Sequence, residues 1–310
     1  MTSRLVLQTK SEARSRQEAT AEPVMNSADM AAGAPLAGSA PQRPERRRPR
    51  FGWISALIVP LVVAIAWELV ARNKLLSSSL FPTLSGVVSV WLDWIVGLNG
   101  KALVYSGTWI EHVGASAQRV LLGFVLGSLA GLTLGVLTGW SRFCRTLLDP
   151  LVQWLRPIPV TAWVPLSIIW FGIGGAPAVG LVFIGAFFPT YVNSMHGVMQ
   201  VEDKLVRAAR MLGAQRRQLL FRVVLPAALP TITTGMRVGL GFSWMCVIVS
   251  EMLAVKSGLG YVLWDSYYFS NLDMVVAAMA SIGLLGFVSD KVFRALTRPY
   301  LRWADQGDRK

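Results

Sequence analysis

Acidic residues are scarce in this sequence. Seventeen aspartates and glutamates (17) stand against 30 lysines and arginines, and charged residues of both signs make up only 15% of the chain. A soluble domain carries about a quarter charged residues, so an ordinary water-soluble globule is excluded. Cysteine is just as scarce. Cys144 and Cys246 allow no disulfide framework and offer no metal-ligand spacing. The histidines, His112 and His196, have no partner in sequence that would complete a nucleophile–base pair. No G-x-x-x-x-G-K-[ST] phosphate loop occurs, so the chain has no such cradle for ATP. Neither HExxH nor a nucleophile elbow is found. Gly241-Phe242-Ser243 faintly resembles a serine nucleophile, but a packed small residue is the simpler reading.

What the sequence has in abundance is apolar length. Hydrophobic residues make up 53% of it, in repeated runs near the roughly twenty residues that a spanning helix needs. The expected fold is all-α, a polytopic membrane bundle of about six transmembrane helices. The spans are placed near Ile54–Ala71, Ala117–Trp140, Leu147–Phe171, Pro177–Met199, Ile232–Val255 and Met274–Phe293. A mixed region, Arg72–Gly114, follows the first span, with Trp91, Trp94, Tyr105 and Trp109 suited to an interfacial or extracytoplasmic position. A loop containing GLGYVLWDSYYFSN precedes the last span.

The formal charge of +13 follows topology. Basic residues crowd the N-terminal tail (Arg43, Arg46, Arg47, Arg48, Arg50), the segment after the fourth span, and the C-terminus (Arg294, Arg298, Arg302). Six spans put all three on one side, and excess lysine and arginine marks the cytoplasmic side. Both termini are therefore expected in the cytosol. The outward loops carry only scattered basic residues, such as Arg72, Lys74, Lys101 and Lys256. No basic patch interleaved with aromatics points to nucleic acid. Residues 1–50 are rich in Ala, Ser, Pro, Glu and Arg and read as a disordered tail, not as a secretory signal. The expected organisation is that tail, a first span and connector over 51–110, a core over 111–294, and a C-terminal tail over 295–310.

Two spans carry unusual features. Gly123, Gly127, Gly131, Gly135 and Gly139 recur every fourth residue, a spacing that lets a second helix approach closely in lipid. The third span holds Pro157, Pro159 and Pro165 beside Arg156. Proline kinks a helix, and broken helix at membrane depth is tolerated where it is buried in protein or lines a cavity. Arg156 either snorkels to the interface or faces a pathway. Thr161, Trp163, Asn193, Ser243, Trp244 and Glu251 are further candidates for a translocation path, each with an interhelical hydrogen bond or an interfacial ring as the plainer alternative. Glu251 would repel an anion and reads as a gate or structural residue, and His196 as structural.

A charged, amphipathic stretch, Glu202–Pro230, separates the fourth and fifth spans. Leu205, Ala208, Ala209 and Leu212 recur at i, i+3, i+4 and i+7 on one helical face. Gly213 is placed to end that helix in a left-handed cap. A second short helix over Arg216–Val224 is expected to stop at Pro226 and Pro230. Such a bracket suits a groove in a partner or an anionic lipid surface, and periodicity alone does not separate the two.

The residue pattern separates them. Ala208-Ala209, then Gly213, then Val223-x-Leu225-Pro226 resembles the "EAA" loop of ABC importer permeases, with Arg207 where glutamate is usual and Val223 where isoleucine is. RPIPVTAWVPLSIIWFGIG, FFPTYVNSMHGV, LPAALPTITTGMRVGLGFSW and EMLAVKSGLGYVLWDS extend the resemblance over about Glu111–Arg302, to the nitrate/sulfonate/taurine/bicarbonate group of these permeases. The resemblance implies a type I importer fold in a bacterial-type inner membrane and import of a small oxyanion or organosulfonate. It also implies a second permease subunit, most simply a second copy, and an extracytoplasmic solute-binding protein. A cytosolic ATPase dimer would bind the ATP and Mg, leaving this chain without cofactor, metal or catalytic residues. Loop 200–230 would dock on that ATPase through Leu205, Arg207, Ala208, Ala209, Leu212, Gly213, Leu225 and Pro226. The alternatives are an ion-coupled secondary transporter, which would want paired acids or a repeat, a membrane hydrolase, and a non-transporting scaffold.

Overall fold

The computed structural model describes residues 52–73, 82–98 and 104–301. The chain divides into two units, Met1–Ala56 and Leu57–Lys310, and of the first only 52–56 are described, as the start of a helix. The tail expected over 1–50, Lys74, Lys101 and Arg302 lie outside the described residues.

Helix α1 (Gly52–Arg72) covers the expected first span. Helix α2 (Leu84–Val96) occupies part of the region read as a mixed connector. The Thr83 hydroxyl accepts the Gly86 N–H at its start, and Gly97 closes its end at φ +77°, where a residue with a Cβ would be strained. The tryptophans of this region turn inward. Trp94 is 1% exposed, and the indole N–H groups of Trp91 and Trp109 both donate to Ser281 Oγ, at 2.9 and 3.0 Å.

Four helices among the described residues are long and apolar enough to cross a membrane. These are α3 (Trp109–Trp140), α6 (Gly175–Met199), the stretch Arg216–Ala254, and α11 (Leu272–Leu301). Between them lie α4 (Arg142–Leu155), α5 (Val164–Phe171), α7 (Asp203–Met211) and α10 (Leu259–Tyr268). The stretch Arg216–Ala254 is itself α8 (Arg216–Leu219), a π turn at Leu220–Val224, and α9 (Leu225–Ala254).

α6 is the middle of the bundle, flanked by α3 and α9. The glycine period of α3 is what permits this. A Cβ on Gly131 would sit 2.7 Å from the Phe187 carbonyl oxygen of α6, one on Gly135 2.5 Å from that of Tyr191, and one on Gly127 would run into that of Phe183. Gly123 and Gly139 meet Val182 and Val198 of the same helix. Backbone rests on backbone along the whole face. On the other flank, Gly235 of α9 abuts Asn193, and Gly239 abuts the Ala186 carbonyl.

Three sequence expectations need correction. The third span is not one helix. α4 ends at Leu155, a 3-10 turn covers Val160–Trp163, and α5 is only 8 residues long. Pro157 and Pro159 withhold two backbone donors in succession, which no helix absorbs. Pro226 and Pro230 do not stop the short helix after Arg216, because the stretch Arg216–Ala254 runs unbroken. The π turn supplies one extra residue of slack, and Pro226 follows just after it. Finally, most of GLGYVLWDSYYFSN is helix α10, with Leu259, Val262 and Ser266 buried along one side.

Candidate functional site

α7 carries an acid, Asp203, in its first turn and a base, Arg210, in its last, the order its dipole favours. At its end Gly213 adopts φ +81°. Its N–H donates to the Arg210 carbonyl at 2.9 Å, and that of Ala214 to the Ala209 carbonyl at 3.1 Å, a left-handed cap. Gln215 and Gln218 then form a reciprocal box, with the Gln215 N–H donating to Gln218 Oε1 at 3.0 Å. Val206 ties α7 to the bundle through a cluster of Val198, Val224, Ala228 and Ile232.

The opposite side of α7 is open. Leu205 is 49% and Leu212 89% exposed, and Arg207, Ala208 and Gly213 are exposed beside them. Ala209 is half-buried. Leu225 and Pro226 lie elsewhere, half-buried at the start of α9, with Leu225 against the Val198 cluster. Leu205, Ala208 and Leu212 thus share one exposed face, and Arg207 is exposed on another side of the same helix. Nothing in the chain covers that face among the described residues.

The broken segment after α4 lies over the groove between α6 and α9. Arg156, Ile158 and Val160 line a cavity of about 240 Å³ together with Phe188, Asn193 and Phe242. The adjoining cavity, about 260 Å³, shares Val160 and Phe242 and adds Thr161 and Cys246. Trp163 lines a third, about 570 Å³ and almost wholly apolar, with Trp170, Phe171 and Phe183. Arg156 and Asn193 therefore share one hollow and Thr161 borders it. The Asn193 amide donates to the Pro189 carbonyl at 2.8 Å. Arg156 forms no ion pair among the described residues. Arg156 is itself exposed while lining this hollow, and a guanidinium without a carboxylate partner can receive an oxyanion.

Ser243, Trp244 and Glu251 are placed inside the bundle. The Ser243 hydroxyl donates to the Gly239 carbonyl of its own helix at 2.8 Å. The Trp244 indole donates to Ser289 Oγ of α11 at 2.9 Å. Glu251 is 0% exposed. Its carboxylate accepts from Arg119 Nη1 at 2.6 Å, from the Ser116 hydroxyl at 2.8 and 2.9 Å, and from the Gly260 N–H at 3.0 Å. Arg119 also donates to the carbonyl and hydroxyl of Ser257, at 2.8 and 2.7 Å. His112 Nδ1 accepts the Gly258 N–H at 3.1 Å. The C-terminal end of α9 is thereby fastened to α3 and to the start of α10. Close by, the Tyr105 hydroxyl donates to the Asp265 carboxylate, and burial, reinforced by that carboxylate, raises the tyrosine's pKa.

Sequence reasoning missed two arginines inside spanning helices, Arg119 of α3 and Arg237 of α9. The latter pairs with Asp290 of α11 at 3.0 Å, and Asp290 also holds Arg294 at 2.9 Å. A lone arginine thirteen positions into α9 would have been the signal, since intramembrane arginines are expensive without a partner.

Among curated proteins, a putative ABC transporter permease of Methanocaldococcus jannaschii is 40% identical over 246 residues, covering 79% of this chain and 90% of that protein. The putative aliphatic sulfonates transport permease of Bacillus subtilis is 35% identical over 90% of this chain and 98% of its own length. The taurine transport system permease of Escherichia coli is 34% identical over 78% and 86%. Among solved structures, a chain of the inward-facing MetNI methionine ABC transporter aligns with a TM-score of 0.55 at 20% identity, over 62% of this chain and 95% of that one. At that identity the likeness is one of fold, and the fold is the type I importer bundle. ABC importer permeases work with an ATPase and a solute-binding protein. Residues 123–300 match the family described as binding-protein-dependent transport system inner membrane component, and the chain belongs to it: it is a membrane-spanning permease subunit of an ABC importer.

Proposed function

We propose that this permease carries a small oxyanion or organosulfonate and that two copies of the chain form one translocation path. The single observation behind the substrate class is the Arg156 guanidinium, free of a carboxylate among the described residues, in the same hollow as Asn193. The names of the sulfonate and taurine relatives support it. In this reading both termini and the coupling segment face the cytosol. ATP and Mg are bound by the partner ATPase, and this chain catalyses no reaction.

Mechanically, closure of the ATPase pair pushes on α7, and the stretch Arg216–Ala254 carries that push to the groove over which Arg156 lies. Ala208 and Gly213 admit close approach of the partner, while Leu205 and Leu212 bury apolar surface against it. Gly213→Trp, or Ala208→Asp with Ala209→Asp, should abolish co-purification of the ATPase and reduce ATP-driven uptake to background. Unchanged co-purification would remove the docking assignment.

Arg156→Gln is expected to lower uptake of a sulfonate such as taurine by about tenfold or more, the loss of one charge-assisted contact of about 1.5–3 kcal/mol. Solute-independent ATPase activity of the assembled complex should stay intact. Uptake in ATP-depleted vesicles that carry an ion gradient would instead favour a secondary carrier. Sidedness is read separately, by labelling Gln215→Cys with a membrane-impermeant thiol reagent from each face.

A further inference from the structure

Behind the coupling helix, on the side away from its open surface, lies a hollow of about 450 Å³ lined by Trp140, Arg210, Ala214, Arg216 and Leu219. Trp140 is the last residue of α3. Ala214 and Leu219 make an apolar floor, Leu219 being 2% exposed, and the indole makes a wall. Arg210 and Arg216, both exposed, line this space together. Several other arginines of the bundle are committed to partners. Arg119 pairs with Glu251, Arg237 and Arg294 with Asp290, and Arg145 donates to the carbonyls of Thr138 and Gly139. Neither Arg210 nor Arg216 forms an ion pair or side-chain hydrogen bond among the described residues. Like charges brought to one hollow repel, and an anion between them reverses the sign of that interaction.

The geometry points to a binding site for the phosphate of an anionic phospholipid head group in the cytoplasmic leaflet. This rests on the cytoplasmic placement of the coupling segment proposed above. The ligand class follows from the lining. Paired guanidiniums match a tetrahedral oxyanion through forked donors, whereas an indole and a leucine suit the glycerol and first methylenes beside that phosphate. Tryptophan at a helix end is the residue found at head-group depth, and basic pockets at helix ends on the cytoplasmic side take phospholipid head groups. A free inorganic anion would use the arginines and leave the apolar floor wet. The site would tie the position of the coupling helix to the composition of the surrounding leaflet.

The test uses the purified full-length chain in detergent, without ATPase. Retained lipid is measured by native mass spectrometry after exchange against an equimolar mixture of dioleoylphosphatidylglycerol and dioleoylphosphatidylcholine. Wild type should retain the anionic phosphatidylglycerol preferentially. Arg210→Gln with Arg216→Gln should lower that preference by roughly tenfold or more, as expected for two basic contacts. Arg222→Gln, an exposed arginine outside the hollow, should leave it unchanged. No preference in the wild type, an unaltered preference in the double variant, or an equal loss in Arg222→Gln would overturn the proposal. Millimolar inorganic phosphate should not displace the lipid. If it does, the hollow takes free anions and the lipid assignment fails. Labelling at Gln215→Cys reports sidedness independently, so a misplaced loop and an empty hollow give different results.

Discussion

Gly127→Leu should abolish recovery of folded, monodisperse protein. The Cβ alone would strike the Phe183 carbonyl of α6, and a leucine adds three more carbons to the same spot. Overpacking a core usually costs about 1–3 kcal/mol because flexible side chains yield. Here the atom that must move is main chain in the central helix of the bundle, so the cost should exceed that range. Gly127→Ala should already lower the melting temperature. Gly241 and Gly283 are exposed, and a Cβ on either meets nothing within 4 Å. Gly241→Leu and Gly283→Leu should therefore be recovered like wild type. Fluorescence-detected size exclusion of a fusion protein separates these outcomes. Equal recovery of Gly127→Leu and Gly241→Leu would show that the α3–α6 face is not as tightly closed as described.

Arg119→Gln should destabilise the protein more than Glu251→Gln, and combining the two should restore part of the loss. Breaking a buried ion pair from one side typically costs about 3–5 kcal/mol, because a charge is left without compensation. The two sides are unequal. Glu251 is fully enclosed, and without Arg119 its carboxylate keeps only Ser116 and Gly260 as donors. Arg119 is 13% exposed and without Glu251 still donates twice to Ser257. Arg119→Gln thus strands a charge in a closed site, and Glu251→Gln strands one at its edge. The double substitution leaves no charge, so its stability should lie above that of Arg119→Gln. Melting temperatures of the four proteins measure the coupling. Strictly additive losses would mean that the pair does not act as a unit.

Much of this architecture was legible because it is written at short period. The glycines of α3 recur every fourth residue, so their shared face needed no structure to find. Gly213 followed an amphipathic run and fell where a left-handed cap belongs. What escaped notice was written at long range or against a local rule. Arg119 and Glu251 are 132 positions apart, and no periodicity relates them. Pro226 and Pro230 are ordinary stop signals, and only the π turn before them lets the helix continue. The aromatic run before the last span looked like loop because Gly258 and Gly260 open it and Ser270 and Asn271 close it. Its three-residue step from Leu259 to Val262 becomes visible as a stripe once α9 and α3 are packed against it. The candidate path divides in the same way. The prolines around Arg156 announced a break, but that Asn193 shares its hollow depends on how α6 is seated between two glycine faces.

The unbroken stretch Arg216–Ala254 has one further consequence. Its 39 residues give a rod about 58 Å long at helical rise, clamped by Glu251 near one end and carrying the coupling bracket at the other. Between those ends it rests on α6 at Gly235 and Gly239 and is tied to α11 by Arg237. In the proposed coupling, a displacement of α7 would therefore be met first at those contacts, beside the groove under Arg156, and last at the Arg119–Glu251 clamp. The wide turn at Leu220–Val224 is the one place among the described residues of that rod where the pitch changes, and therefore where twist can be taken up before it reaches the bundle.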